Sequence, residues 1–438
     1  MRDHATASVE NRVPQETLME RILDRPNIQQ AWNRVRSNKG AAGIDNMTIA
    51  QFPAFAKVHL LRIMEQIREG RYAPAPVRRA WIAKPDGDER PLGIPTVLDR
   101  VIQQAIAQVL GPIFDVDFSD SSYGFRYGRR AHAAVERLSG ASQAGYRWGV
   151  DCDLKSYFDT VNHDLLMHQL GKRIRDKRVL ALIGKYLRAG VRHEDGSTEK
   201  TPKGVPQGGP LSPLLANVML DPLDKRIEAM QLPFARYADD FLILARTKAE
   251  AFHAMAEVQD YVEGKLKLLV NREKSQVAPL RECSFLGFCI QGKKIRRTDK
   301  TARRFKYRVQ EITARSRGVS MRQRLTELRR YCVGWFHYFK YGLPYNEVLH
   351  WDQWIRRRVR LCYWQDWKVP RKRRRMLIKL GVAKDQVKKA SRSRKGYWRM
   401  SRNSLVNLAL NGRYLEEQGV PSLRALWVTF KYGDKAKV

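Results

Sequence analysis

Cysteine is scarce in this chain. The five present, Cys152, Cys283, Cys289, Cys332 and Cys362, form no C-x-x-C pair and no disulfide-like spacing. That gives no zinc site and fits a reducing compartment, so a cytoplasmic location is expected. The first residues, Met-Arg-Asp-His-Ala-Thr-Ala-Ser, lack the apolar stretch of a secretion signal. No run approaches the roughly 18 apolar residues that a membrane helix needs, so no membrane partner is expected. Internal repeats and long low-complexity linkers are missing as well.

Negative charge is also in short supply. Against 82 Lys and Arg stand 45 Asp and Glu, a formal net charge of +37. A self-repulsion of this size points to a polyanionic partner, because nucleic acid offsets it through counterion release. The imbalance is local. Residues 291–438 hold 40 of the basic residues but only 10 of the acidic ones, +30 in net charge against +7 for residues 1–290. With 438 residues and 43% hydrophobic content, two or three domains are expected, the last of them basic.

Apolar spacing predicts helices between Pro14 and Gly70, interrupted by the glycine-rich loop Lys39-Gly-Ala-Ala-Gly-Ile-Asp45. That loop lacks the lysine spacing of a phosphate-binding Walker loop and is not read as a nucleotide cradle. Ala80–Lys84 reads as a strand, Pro85–Asp88 as a turn, and Arg90–Pro95 as extended. A helix from Asp99 to Leu110 is expected to take Asp99 as its cap. Arg147–Leu154 reads as a strand, and Asn162 caps the helix after it. Pro210–Leu220 is helical, Ala249–Leu266 amphipathic, and Ser284–Ile290 a strand. Beyond Lys293, Leu325, Leu328, Cys332, Trp335, Phe336 and Phe339 form one helical stripe. Trp351, Trp354, Ile355, Val359 and Cys362 form another, and both read as core.

The chemistry centres on Asp239 and Asp240, two carboxylates inside the apolar run Phe234–Ala245. Consecutive side chains on a strand point to opposite faces, so the pair can share a task only where the chain turns. Two short strands with Asp-Asp at the tip of their hairpin meet that requirement. Such carboxylates raise each other's pKa, and a divalent cation removes the penalty. Oxygen ligands of this kind suit Mg²⁺. An Asp-Asp pair alone is more often a solvated turn. The case strengthens with Asp153, at the end of an apolar strand far away in sequence. Three carboxylates on adjacent strands would build a two-metal site.

These residues carry a resemblance. Tyr237-Ala-Asp-Asp240 resembles the YxDD box of reverse transcriptases, and Asp153-Leu-Lys-Ser-Tyr-Phe-Asp159 their first catalytic motif. Gly204 to Asn217, with Pro206-Gln-Gly-Gly-Pro-Leu-Ser-Pro213, resembles the motif in the form used by group II intron enzymes. Asn271–Ser275 and Phe285–Phe288 resemble the two motifs downstream, Trp81–Pro95 the fingers motif, and Pro26–Phe52 the N-terminal extension. All stand in family order. Gly334–Phe339 is similar to the maturase (thumb, or X) domain. Gly396–Ser401 through Leu423 is similar to the C-terminal segment of bacterial class C proteins, which lack an endonuclease domain.

The resemblance implies an α+β right-hand polymerase with fingers, palm and an all-helical thumb. Its expected parts are an N-terminal extension (1–75), fingers and palm (76–292), a helical thumb or maturase domain (293–390) and a basic C-terminal segment (391–438). It implies RNA-directed DNA synthesis with two Mg²⁺ ions, Mn²⁺ being the alternative. Asp153, Asp239 and Asp240 would be catalytic and would bind metal with the carbonyl of Leu154. Lys84, Arg90, Phe158, Gln207 and Lys274 would contact the dNTP, with Phe158 blocking a 2′-hydroxyl. The implied partners are group II intron RNA, an RNA template with a DNA primer, target DNA and dNTPs. The role would be help in splicing, then copying of the intron during retrohoming. Two alternatives are a free-standing relative used in host DNA repair or defence, and a splicing-only RNA-binding maturase.

Overall fold

The computed structural model describes residues 17–83 and 89–433. Lys84, at the fingers turn, lies outside them. The chain divides between Cys283 and Ser284 into two compact units.

The first unit is built on two sheets. Strands β1 (Val77–Ala83), β2 (Glu89–Ile94), β4 (Val191–Arg192) and β5 (Thr198–Glu199) form one, in the order β2-β1-β4-β5. Strands β3 (Trp148–Cys152), β6 (Phe234–Tyr237), β7 (Asp240–Ala245) and β8 (Gln276–Pro279) form the other, in the order β6-β7-β3-β8, with every neighbour antiparallel. In this second sheet β7 is buried from Phe241 to Ala245, and Val150 and Cys152 of β3 are buried between them. One large apolar core joins the sheet to the helices Val97–Asp115, His163–Gly171, Lys177–Leu187, Ser212–Ala229 and Lys248–Asp260. Ahead of the sheets, Leu18–Ile22, Arg25–Ser37 and Phe52–Arg68 are helical, with Pro26 and Pro53 in the first turns of the second and third. A proline there gives up no hydrogen bond.

The second unit opens on a hairpin, β9 (Phe288–Gln291) with β10 (Lys294–Arg297), and is otherwise helical. Both expected stripes are core: Leu325, Leu328, Cys332 and Phe336 lie on the helix Met321–Phe339, and Trp351, Ile355 and Val359 on Tyr345–Asp366. The fold class is α+β, as the sequence implied.

Three local expectations need correction. Asp99 does not cap its helix. The helix starts at Val97 with Thr96 as cap, whose hydroxyl accepts from Asp99 N at 3.0 Å and donates to Asp99 Oδ2 at 2.6 Å. Asp99 is the acidic member of a reciprocal cap three residues on. The strand expected over Ser284–Ile290 begins only at Phe288, because Leu286 (φ +52°) and Gly287 (φ +82°) turn the chain through left-handed backbone. The amphipathic segment ending at Leu266 is α-helical only to Asp260 and closes in one π turn, Tyr261–Lys265.

Candidate active site

The hairpin forms where the pattern placed it, with its turn one residue earlier than expected: Asp239 lies in the turn and Asp240 opens β7. Tyr237 pairs with Asp240, so Ala238 and Asp239 form a two-residue turn between β6 and β7. Ala238 has φ +62°, a left-handed conformation that a residue with a Cβ adopts only at a cost. On the other side of β7, Cys152 at the end of β3 pairs with Phe241, so Asp153, next in the chain, follows the strand end that lies against the start of β7, where Asp240 stands. Asp240 is exposed; Asp153 and Asp239 are half-buried. Burial raises the pKa of Asp239 above the usual carboxylate range and the Asp153 charge adds to it, against the pull of Arg90 and Arg236. Burial, with Asp153 second, also pushes Asp151 up to about 6. Negative charge is therefore crowded and partly dehydrated at this sheet edge.

Arg236, immediately before the YxDD box, holds the turn in place. Its side chain is fully buried. Nε and Nη2 donate to the two oxygens of Asp224 at 2.7 and 2.5 Å. Nη1 donates to Asn217 Oδ1 and to the carbonyl of Ala238, both at 2.9 Å. Nη2 also donates to Ser122 Oγ at 2.8 Å. Asn217 and Asp224 stand seven residues apart, two turns of the helix Ser212–Ala229, and so share a face. Asn217 Nδ2 in turn donates to the carbonyl of Gly124 at 2.9 Å. A Cβ at Gly124 would run into the backbone N of Ala238, so only glycine lets this loop pass the turn.

Asp153 is braced separately. Asn271 Nδ2 donates to Asp153 Oδ2 at 3.0 Å, Asn271 N to the Asp153 carbonyl at 2.8 Å, and Asp153 N to Ser275 Oγ at 3.1 Å. Leu154 is buried and bridges to Val270. Lys274 is exposed on the turn after Asn271.

A cavity of about 590 Å³ is lined by Arg90, Phe158, Gln207 and Gly208, and also by Gly40, Arg100 and Phe125. It unites three of the five residues expected at a nucleotide; Lys274 is not among its lining. Phe158 is half-buried, its ring edge-on to Tyr157 at 5.1 Å. Its carbonyl accepts from Val205 N at 2.6 Å, which ties it to the loop that carries Gln207. The Gln207 carbonyl accepts from Gly93 N at 2.8 Å, and a Cβ on Gly208 would stand 2.7 Å from the Gly93 carbonyl oxygen. The close approach of this loop to β2 therefore requires glycine at 208.

Phe125 received no role in the sequence reading. It has φ +60°, is 55% exposed, and reaches 6.3 Å from the Tyr237 ring. Two neighbours hold it in view: Asn217 bonds Gly124, and Arg126 is buried on Asp115 and the carbonyls of Ser119 and Ser122. Arg236, Asn271 and Phe125 were missed for one reason. Their importance lies in partners 12 to 118 positions away, as in the Arg236–Asp224 and Asn271–Asp153 contacts. The readable signals were the spacing of Asn217 and Asp224 and the place of Asn271 in a family motif, and neither names the partner.

Among the described residues, no three His, Cys, Asp or Glu side chains converge into a ready-made metal cage. The donor set of adjacent carboxylates in a partly dehydrated, electronegative edge still fits a hard divalent cation, whose shell water and substrate oxygens complete. No helix among the described residues is long and apolar enough to cross a membrane.

Residues 82–290 match the family model of the reverse transcriptases (RNA-dependent DNA polymerases). This is the class that the hairpin carboxylates and the mixed fold define. Residues 302–380 match the maturase-specific domain of group II introns. Protein YkfC of Escherichia coli K12 is 33% identical over 317 residues, covering 63% of this chain and 82% of YkfC. The group II intron-encoded protein LtrA of Lactococcus lactis is 37% identical over 265 residues, covering 60% of this chain and 42% of LtrA. The putative COX1/OXI3 intron 1 protein of Saccharomyces cerevisiae is 32% identical over 198 residues, covering 45% of this chain and 24% of that protein. The chain thus spans most of the first relative and less than half of the other two. It belongs to the group II intron reverse transcriptase/maturase family.

Proposed function

We propose that this protein is an RNA-directed DNA polymerase encoded by a group II intron, which binds intron RNA to assist splicing and copies it into cDNA during retrohoming. The carrying observation is the placement of Asp153, Asp239 and Asp240 at one sheet edge, in a unit whose cavity is lined by Phe158, Gln207 and Arg90. In this reading fingers and palm extend over residues 76–292 and the thumb begins at 293. The working location is the cytoplasm.

Asp153, Asp239 and the carbonyl of Leu154 would hold two Mg²⁺ ions, with Asp240 supporting the one nearer the primer. When bound, the ions would lower the pKa of the primer 3′-hydroxyl and neutralise charge on the leaving pyrophosphate. The chain's own part is orientation. Asn271 fixes Asp153, and Arg236 fixes the turn that carries Asp239. Arg90 would clamp the triphosphate through its fork, with Lys84 as a second cation. Lys274 would neutralise the leaving group. The basic second unit, +30 over residues 291–438, would grip template–primer and intron RNA by their phosphates. Extension of a DNA primer on an RNA template, with Mg²⁺ and dNTPs, tests the reading. RNA binding without extension would favour the splicing-only alternative.

Phe158 is tied through its own carbonyl, so shortening its ring leaves the loop anchored. Phe158→Val is expected to admit ribonucleotides, lowering the dNTP-to-NTP preference by about 100-fold or more, the scale a steric or hydrogen-bonding discrimination reaches. Competition between dNTP and NTP in single-nucleotide extension would show it, and an unchanged preference would remove Phe158 from this role.

Phe125→Gly should leave stability unchanged or raise it by about 1 kcal/mol, since glycine takes positive φ without penalty. Extension efficiency should fall all the same, because the ring is lost from the cavity wall. Urea denaturation and single-nucleotide kinetics measure the two effects. Unaltered kinetics would mean that the strained phenylalanine serves neither substrate.

A further inference from the structure

The cavity holds a second cation that the polymerase reading leaves unused. Among the described residues no acidic side chain lines it, and two arginines do, from different elements: Arg90 on β2 and Arg100 on the helix Val97–Asp115. Their electrostatic surroundings differ. Arg90 acts on Asp159 and Asp239, at the carboxylate edge, whereas the carboxylate that acts on Arg100 is Asp45. Arg100 is 8% exposed. Its Nη2 donates to the Ala41 carbonyl at 2.6 Å and its Nε weakly to the Thr96 carbonyl at 3.4 Å. No carboxylate among the described residues lies within ion-pair distance of it. Burial pulls its pKa down from the ordinary value.

A nearly buried guanidinium that hydrogen-bonds only neutral carbonyls, with its nearest acting carboxylate beyond ion-pair distance, is a costly arrangement, and it becomes more favourable when an anion arrives. The glycine-rich loop supplies carbonyls, not a nest of N–H groups. Arg78 donates twice to Ala42, and Arg100 to Ala41. A Cβ at Gly40 would stand against Arg100 Nη1, so the loop backbone passes close to the guanidinium. The loop therefore cannot cradle a phosphate itself; it aims a cation at the cavity.

Which anion follows by elimination, on the footing of the polymerase reading. The triphosphate belongs with Arg90, near Asp239. The primer terminus must reach Asp239 and Asp240, the edge on which Arg90 acts, whereas Arg100 is held by its own loop contacts, at the Ala41 carbonyl and near Asp45. The remaining polyanion is the template strand. The neutral lining nearby, Gln104, Asn38 and the Phe125 ring, suits the sugar and base attached to a phosphate. We infer that Arg100 binds a backbone phosphate of the template strand beside the templating nucleotide.

The test measures template–primer binding by the full chain over a range of salt, and dNTP KM by single-nucleotide extension. Arg100→Met is expected to raise the template–primer Kd about tenfold and to lower the salt slope by about 0.7 to 0.9, one phosphate contact. The dNTP KM should change less than twofold, and Arg100→Lys should retain most of the binding. A scan of single neutral methylphosphonates along the template, each with a 2′-deoxy sugar, should find one position that weakens the wild type and leaves Arg100→Met unaffected. A raised dNTP KM with unchanged Kd would overturn the inference and give Arg100 to the nucleotide. Equal losses in both proteins at every position would reduce Arg100 to a pin for the loop. If Arg100→Met does not fold, the scan on wild type and Arg100→Lys decides. Failure of the polymerase reading would look different: wild type binds, the scan is still readable, and no nucleotide is added.

Discussion

Template–primer bound to an Asp239→Asn protein should stay bound and unextended. Nucleotide addition is expected to fall on the order of 10⁴-fold, the scale of losing a group that acts in a catalytic set. Asparagine keeps the shape of the turn and removes only the charge. Because burial raises the pKa of Asp239 in the folded protein, its ionised form opposes folding. That contribution to stability is present below the unfolded pKa and lost as the pH rises through the folded one. At neutral pH and without divalent cations, the variant should melt no lower than the wild type. Mg²⁺ or Mn²⁺ should raise the wild-type Tm and raise that of the variant less, a readout independent of activity. Extension by the variant within tenfold of wild type would sink the assignment of Asp239.

The second large effect is expected at Arg236. Arg236→Met leaves Asp224 buried without its cation, which costs roughly 3–5 kcal/mol. Arg236→Met with Asp224→Leu replaces the pair by apolar side chains and should recover much of that stability. It should not recover polymerisation, because the Ala238 carbonyl and Asn217 Oδ1 then lose the guanidinium that joins them. The double variant should show a depressed kcat with template affinity near normal, since the residues that the Arg236 side chain hydrogen-bonds, Asp224, Asn217, Ala238 and Ser122, do not line the cavity and Arg236 acts through the turn. Urea denaturation and single-turnover extension separate the two. Recovery of kcat together with stability would make Arg236 a fold element only.

The hairpin with Asp239 in its turn was legible because strand alternation forbids two adjacent side chains on one face, and the apolar run on each side left the turn as the only solution. Asp153 was legible as a strand end, and the ordered motifs carried the family. The thumb stripes were legible because helical spacing of aromatic residues reports burial directly. The capping of Val97–Asp115 was misread because the helix begins at Val97, two residues before Asp99, and the bond by which Thr96 caps Asp99 N is not written in the order of residues. The late start of β9 was misread because apolar content does not reveal that Leu286 and Gly287 take left-handed backbone.

The sequence by itself therefore determined the chemistry on offer: two carboxylates that need a turn, a third at a strand end, a basic last third, and a family. Only the tertiary structure decided how that chemistry is held. The register of β3 on β7 brings the end of β3, just before Asp153, to the start of β7, which carries Asp240; the buried Arg236 ties the turn to the helix Ser212–Ala229, and Asn271 braces Asp153. It also decided that Arg100 and Phe125 border the same cavity as Arg90, Phe158 and Gln207. The reason is physical. Alternation and helical period are local and written in the order of residues, whereas a buried charge acquires meaning only from the partner that folding brings to it.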